Sequence, residues 1–443
     1  MSRTLKAVAF RALTIAGLAV MLSCSGDGGS QSTNPSDLVA SVDLLAPPAP
    51  LLVAETYQLT GTVHTTSGGE LPSTAISWSS SNTAVAVVEQ GLVTARGIGV
   101  ADITAQSGGK SAKAKISVFA TTLSVTADSY ADGTIGFTSS RNNGVLDAYI
   151  VGPDGLHRVT SSPAHEEFDT WSPDASRIAY IRFPPDSATF SSHIINTDGS
   201  SDTFVSAGLV TWARDWLHRA LVVEGRLFVS SADGTNSVAV SPATNAAGFI
   251  DGPWWSNDGS KLAFGFATSP DAAEDIYVVN PDGTGLRDLT NTSTISEDFA
   301  SWSPDGSKLA LTGQNPGAGL GVSVFTINAD GTGLKQLTST PQPNGDAEPQ
   351  WSPDGKLIAY TSNVGANIGI WLIDPLGGRQ VRITPPSMVG GFGNWSRDGT
   401  RIAFTGILGG SFRQNIFVIS IDKKSLVQLT NGSGDNLDPF WKP

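Results

Sequence analysis

The sequence predicts an all-β protein, a small β-sandwich followed by a seven-bladed β-propeller whose ring is closed by both ends of the propeller segment. Three observations carry this. The 443 residues include 49 glycines and 25 prolines, a turn-forming content that suits many short strands and not a helical bundle. Apolar and polar residues alternate in short runs, as in Tyr57-Gln58-Leu59-Thr60-Gly61-Thr62-Val63, which is the period of a half-buried strand. Finally, a tryptophan-led unit recurs at Trp171, Trp212, Trp255, Trp302, Trp351, Trp395 and Trp441, at intervals of 41, 43, 47, 49, 44 and 46 residues. That spacing fits a four-stranded blade.

The chain opens on Arg3, Lys6 and Arg11, then a mostly apolar run from Ala12 to Leu22, then Ser23 and the only cysteine, Cys24. Such a segment reads as a secretory signal over residues 1–23, too short to span a bilayer stably. In its position Cys24 resembles the lipid-accepting cysteine of bacterial lipoproteins, although Met21 and Leu22 depart from the usual box. The resemblance implies lipidation at Cys24, and Ser25 fits outer-membrane sorting. The Gly/Ser-rich residues 24–37 form a tether. No later run is apolar over the 18 or so residues of a membrane span, so the lipid is the expected anchor.

Charge narrows the partners. Residues 24–443 carry 24 basic and 40 acidic groups, a net −16, which argues against nucleic acid or an anionic membrane as ligand of a basic surface. A single cysteine rules out a disulfide framework or a multi-cysteine metal site.

Residues 38–120 have turn signals every ten residues or so. They contain Trp78-Ser79-Ser80-Ser81-Asn82, then Val85-Ala86-Val87, Gly91-Leu92-Val93, Gly99 and Ala101-Asp102-Ile103-Thr104-Ala105. In that order these features resemble the bacterial immunoglobulin-like group 2 domain. The resemblance implies an immunoglobulin-like β-sandwich serving as spacer or adhesive module.

Residues 131–443 hold the repeat. Trp302-Ser303-Pro304-Asp305-Gly306 and Trp351-Ser352-Pro353-Asp354-Gly355 are its clearest copies, and Trp212 leads a decayed one. Ser-Pro-Asp-Gly suits a type I turn, with Pro fixing φ at the second position and Gly at the fourth. The tryptophan before the turn offers a packing surface between blades. Each unit continues through an aromatic-rich strand, an Asn-x-Asp-Gly turn and a Leu-Thr strand. The small residue of the second strand occurs seven times, as Gly136, Ala179, Ala220, Ala263, Ala310, Ala359 and Ala403. Because Trp441 lies two residues from the chain end, the last unit has one strand, and residues 131–170 supply the other three. Closure of this kind removes exposed sheet edges. The Trp-Ser-Pro-Asp-Gly-x-x-[Ile/Leu]-Ala-[Phe/Tyr] signature resembles TolB-type (WD40-like) β-propeller repeats. TolB itself has six blades and an α/β domain, so its partners do not transfer to this chain. Related repeats in prolyl-oligopeptidase-like hydrolases and oligogalacturonate lyases imply an enzymatic alternative.

Chemistry is harder to find. There is no Gly-x-Ser-x-Gly, and the chain ends with the propeller, which excludes a hydrolase of the nucleophile-elbow type. His165-Glu166-Glu167-Phe168-Asp169 lacks the second histidine of a zinc helix. His157, His165, His193 and His218 occupy dissimilar places in their units, with His218 expected to be exposed. The Asn-x-Asp-Gly turns lack the alternating ligands of a calcium loop. The six residues before each tryptophan, however, hold ten acids and no Lys or Arg: Glu166, Glu167, Asp169, Asp251, Glu297, Asp298, Asp346, Glu348, Asp435 and Asp438. They are expected to ring one mouth of the central channel and to focus a negative potential. The expectation is therefore a non-catalytic cell-envelope lipoprotein whose propeller binds a protein or basic peptide at this rim. No catalytic residue, metal ligand or cofactor is assigned; a divalent cation such as calcium is the alternative ligand of the rim. The alternatives are a carbohydrate-active enzyme such as a polysaccharide lyase, and an adhesin acting through the immunoglobulin-like domain.

Overall fold

The computed structural model describes residues 39–443 except 45–50, 54, 72–73, 123–128, 186–188, 243–248, 270–271, 316–318, 365–367, 379, 386–387, 409–411, 423–424 and 432–433. The signal, Cys24 and the tether lie outside the described residues. Every regular element described is a strand, and no described helix is long and apolar enough to cross a membrane. The described residues divide into two compact units, one up to Val118 and the other from Phe119 to Pro443.

In the first unit Val39–Leu44 pairs with Gly61–Thr65, Leu92–Ala95 sits between Thr56–Gln58 and Ala86–Glu89, and Gly99–Ser107 pairs with both Ser77–Ser80 and Lys110–Thr122. Alternation sends Ala101, Ile103 and Ala105 of one strand into the core, where Leu59, Val85, Val93 and Ile116 meet the first two and Val42 and Val63 meet Ala105. Trp78 packs half-buried against this cluster.

The second unit has a β-propeller fold whose strands, among the described residues, fall into seven four-strand antiparallel sets, six of them separate sheets and the seventh, Val389–Trp395 to Ser425–Gln428, part of a larger sheet. The first is composite: Asn436–Trp441 pairs with Ile135–Asn142, followed outward by Val145–Gly152 and Gly155–Arg158. The leading strands of the second to seventh sheets are His165–Trp171, Val210–Trp212, Phe249–Trp255, Ser296–Trp302, Asp346–Trp351 and Val389–Trp395. Each is followed by three strands in chain order, and each ends on its motif tryptophan.

The sheets pack in cyclic order. Val159 and Ile150 of the first meet Phe168 and Trp171 of the second, and Ala403, Ile416 and Val418 of the seventh meet Phe137, Tyr149 and Trp441 of the first. The indoles mark this order. Trp171 Nε1 donates to the Phe440 carbonyl (3.1 Å), Trp255 to Thr211 (3.2 Å), Trp302 to Trp254 (3.0 Å), Trp395 to Gln350 (3.1 Å) and Trp441 to Asn394 (3.0 Å). Each acceptor immediately precedes the motif tryptophan of the sheet before. The indole nitrogens of Trp212 and Trp351 have no partner, so the link is made at five of seven junctions.

The turn after each tryptophan forms as its residues dictate. Gly306 N–H donates to the Ser303 carbonyl (2.9 Å), and Asp305 Oδ1 accepts from the Ser303 hydroxyl and the Ser307 amide (2.7 and 3.0 Å). The fourth position is left-handed, φ +68° at Gly306, where glycine bears no Cβ penalty. Ala175 and Trp216 hold the same conformation, at +57° and +56°. Trp216 stacks on Trp212 at 4.9 Å, which accounts for the decayed third copy.

Candidate functional site

The leading strands of neighbouring sheets touch one another at every junction but that between the second and third, so residues on them converge on the axis. Most of these strands contain a bulge two or three residues before the tryptophan, as between Phe168 and Thr170 or Asp298 and Ala300. At this bulge Phe299, Glu348 and Asp438 take positive φ values of 47°, 58° and 51°. The displaced amide finds a hydroxyl on the sheet before it. Phe168 N–H donates to Thr138 Oγ1 (3.0 Å), Glu348 to Thr312 (3.1 Å) and Asp438 to Thr405 (3.0 Å). A bulge re-aims side chains and breaks strict alternation, which is how consecutive acids can have different fates.

Nine of the ten acids lie within leading strands, and Asp435 lies one residue before one. Four are buried: Glu166, Asp251, Glu297 and Asp346. These four are not part of an exposed rim, which corrects the expectation that all ten surround the mouth. Glu166 accepts from Ser162 and pairs with Arg182 Nε at 2.7 Å. Glu297 accepts from Thr292 Oγ1 at 3.0 Å, its Oε2 has no partner, and burial pushes its carboxyl up to about 8. It is therefore mostly uncharged at neutral pH. Asp346 Oδ2 accepts from Thr340 Oγ1 at 2.6 Å, and Gly252 N–H donates to Asp251 at 3.0 Å.

Glu167, Asp169, Asp298, Glu348, Asp435 and Asp438 are half-exposed, and Asp435 lies 3.8 Å from Arg413. Excluding Asp435, the remaining five fall in two arcs: Asp438, Glu167 and Asp169 on the first and second sheets, Asp298 and Glu348 on the fifth and sixth. The third sheet's short strand and the glycine-rich Val389–Trp395 add none. Among the described residues no group of three or more His, Cys, Asp or Glu is placed to hold a metal ion.

His165 and His193 are hydrogen-bonded locally. His165 Nδ1 accepts from the Leu146 amide at 3.1 Å. His218 is half-buried, its ring centroid 6.3 Å from that of Trp255, which corrects its expected exposure. On the second sheet the structure assembles a network that sequence reasoning missed, joining Glu166, Tyr180, Arg182, Ser191, His193 and Asp202. The only sequence signal was the Ser-x-His spacing of one strand.

Residues 38–118 match the family described as Bacterial Ig-like domain (group 2). No curated protein matches the chain. Among solved structures it is similar to TolB from Acinetobacter baumannii, at 18% identity over 78% of this chain and 79% of that one, TM-score 0.47. It is also similar to an oligogalacturonate lyase in complex with manganese, at 15% over 65% and 86%, TM-score 0.51. A third is a puromycin-hydrolyzing peptidase from Mycobacterium tuberculosis, at 14% over 62% and 46%, TM-score 0.52. At these identities the likeness is one of fold, and this chain spans less than half of the peptidase. Two of the three are enzymes, which corrects the expectation of a non-catalytic chain, because the same architecture carries catalysis elsewhere.

Proposed function

We propose that this chain is a bacterial cell-envelope protein whose propeller is a binding scaffold, taking a basic, extended segment of another envelope protein along the two acidic arcs. The observation that carries this reading is the set of half-exposed carboxylates Glu167, Asp169, Asp298, Glu348 and Asp438 on strands that converge on one axis. Like charges held in a concave site focus potential and speed the approach of a cation-bearing partner. Contacts with backbone and aromatic groups would then supply much of the affinity, with the carboxylates setting approach and register. The immunoglobulin-like domain serves as the spacer between anchor and propeller in this reading.

The test is capture from a bacterial envelope extract with the full chain as bait. A specific basic protein should be retained by wild type and lost by a variant carrying Glu167→Gln, Asp169→Asn, Asp298→Asn, Glu348→Gln and Asp438→Asn. Equal retention by both baits would move the binding surface elsewhere. Anchoring through Cys24 is part of the same proposal. Its motivation is the sole cysteine directly after the apolar core. Cys24→Ala should release the protein from the membrane fraction, and unchanged fractionation would rule out the lipid.

A further inference from the structure

The network on the second sheet has the geometry of a hydrolytic site. Ser191 and His193 lie two apart on the strand Ser191–Asn196, so alternation puts both side chains on one face. Ser191 Oγ lies 3.0 Å from His193 Nε2, and His193 Nδ1 lies 3.1 Å from Asp202 Oδ1. We infer that Ser191, His193 and Asp202 form a nucleophile, base and orienting carboxylate that hydrolyse neutral carboxylic esters with an apolar acyl group. The site is separate from the acidic arcs, and it needs no nucleophile elbow, since such triads are defined by geometry and roles, not by sequence position.

The surroundings set the roles. Asp202 can only accept, so the 3.1 Å contact places the proton on Nδ1 and leaves Nε2 as the acceptor for the Ser191 hydroxyl. That is the tautomer a general base requires. Asp202 is itself held by the Tyr180 hydroxyl on Oδ1 at 2.7 Å and by Arg182 Nη2 on Oδ2 at 2.6 Å. The imidazole is clamped by Tyr180, stacked at 5.3 Å, and by the edge of Phe204 at 5.7 Å. Burial and the Arg182 charge hold the His193 pKa below the ordinary imidazole range, so the ring is neutral at pH 7 and able to take a proton.

The charged groups facing the ring are Glu166, Asp202 and Arg182, a net −1 that becomes zero when His193 is protonated in the transition state. The guanidinium, whose Nη1 lies 3.4 Å from His193 Nδ1, sets part of this balance beside the nitrogen that faces Asp202, not the one that faces Ser191. Ser191 is half-buried and follows Phe190, which packs on Phe183 at 5.4 Å, and Phe204 is 61% exposed. These aromatic groups favour an apolar acyl group, and the two carboxylates disfavour an anionic one.

In the reaction Ser191 Oγ bonds to the ester carbonyl carbon as its proton passes to His193 Nε2. Collapse of the tetrahedral adduct breaks the carbon–alkoxy bond, and Nε2 returns the proton to the departing alcohol. Water then attacks the acyl-serine, giving its proton to Nε2, and the carboxylic acid leaves as Ser191 regains a proton. Ser191 and His193 are the catalytic residues, and Asp202 is a positioning residue.

The full chain is incubated with a fluorophosphonate probe, whose phosphorus bonds to an activated serine oxygen as fluoride leaves, and hydrolysis of p-nitrophenyl butyrate is followed in parallel. The expected result is one adduct, mapped to Ser191, with hydrolysis abolished in the labelled protein. Ser191→Ala, checked for an unchanged melting temperature, should lower the rate at least about a hundredfold, the scale of lost base-assisted attack. Asp202→Asn should lower the rate and move the acidic limb of its pH profile downward, because imidazolium loses a stabilising charge. No adduct on Ser191, or wild-type hydrolysis after labelling or in Ser191→Ala, would overturn the inference. An unmoved acidic limb in Asp202→Asn would remove Asp202 from it.

Discussion

A single carboxyl shows how far burial can redirect the charge pattern of a sequence. Glu297 reads as one of ten equal acids in the chain, yet the leading strand of the fifth sheet carries it into the interior with one oxygen unmatched. Its folded pKa, pushed up to about 8, exceeds the ordinary carboxyl value of the unfolded chain. Between about pH 4.3 and that value the folded state keeps a proton that the unfolded state has released. The contribution is therefore fully present in acid and is lost as pH rises to about 8. Glu297→Gln should remove this slope, raising the melting temperature at pH 8 by a few degrees relative to wild type while leaving pH 4 nearly unchanged. Equal pH dependence of the two melting curves would show that Glu297 ionises normally. The turn aspartates behave oppositely: Asp174, Asp258, Asp305 and Asp398 are lowered to about 2 by serine or threonine hydroxyl and backbone N–H donors. They stay charged at any physiological pH. Which acids would be buried was not legible, because it depends on the bulge that shifts the register inside each leading strand.

Strands and turns were the most legible level. Trp-Ser-Pro-Asp-Gly names its own turn, and the alternating segments after it became second strands with Ala179, Ala263, Ala310 and Ala403 buried at the small position. In the composite sheet that position is Gly136, where a Cβ would lie 2.2 Å from the Phe168 ring. The closing strand was legible from the truncated last unit, and Asn436–Trp441 does pair with Ile135–Asn142. Its side-chain bonds were not legible: Asn436 Oδ1 accepts from Ser139 Oγ at 2.8 Å and from Arg141 Nη2 at 3.0 Å, across nearly 300 residues of sequence. Deleting residues 435–443 should strip Ile135–Asn142 of its inner partner and free the indole links of Trp171 and Trp441. The expected loss is about 3 kcal/mol or more, with Trp441 at the lower end of tryptophan truncations because it is half-buried. Thermal unfolding checks this directly, and an unchanged melting temperature would mean that the ring is not held by its carboxy-terminal strand.

At the scale of the whole molecule, cyclic order turns a one-dimensional charge count into a pattern in space. Ten acids before seven tryptophans suggested a continuous ring, but burial, the short third leading strand and the glycine-rich seventh leave two arcs separated by neutral sectors. The triad on the second sheet joins two residues of the strand Ser191–Asn196 to Asp202, just before Thr203–Ala207, and local spacing encodes only its Ser-x-His part. The most direct test of the binding account is the affinity of the full chain for an extended arginine- and lysine-rich peptide, titrated from low to high salt at neutral pH. Exposed charges are screened over about 8–10 Å at physiological ionic strength. Binding should therefore weaken steadily as salt rises, and it should be absent at every salt concentration in the variant neutralised at Glu167, Asp169, Asp298, Glu348 and Asp438. An affinity that ignores salt, or that survives intact in the folded five-site variant, would contradict the account.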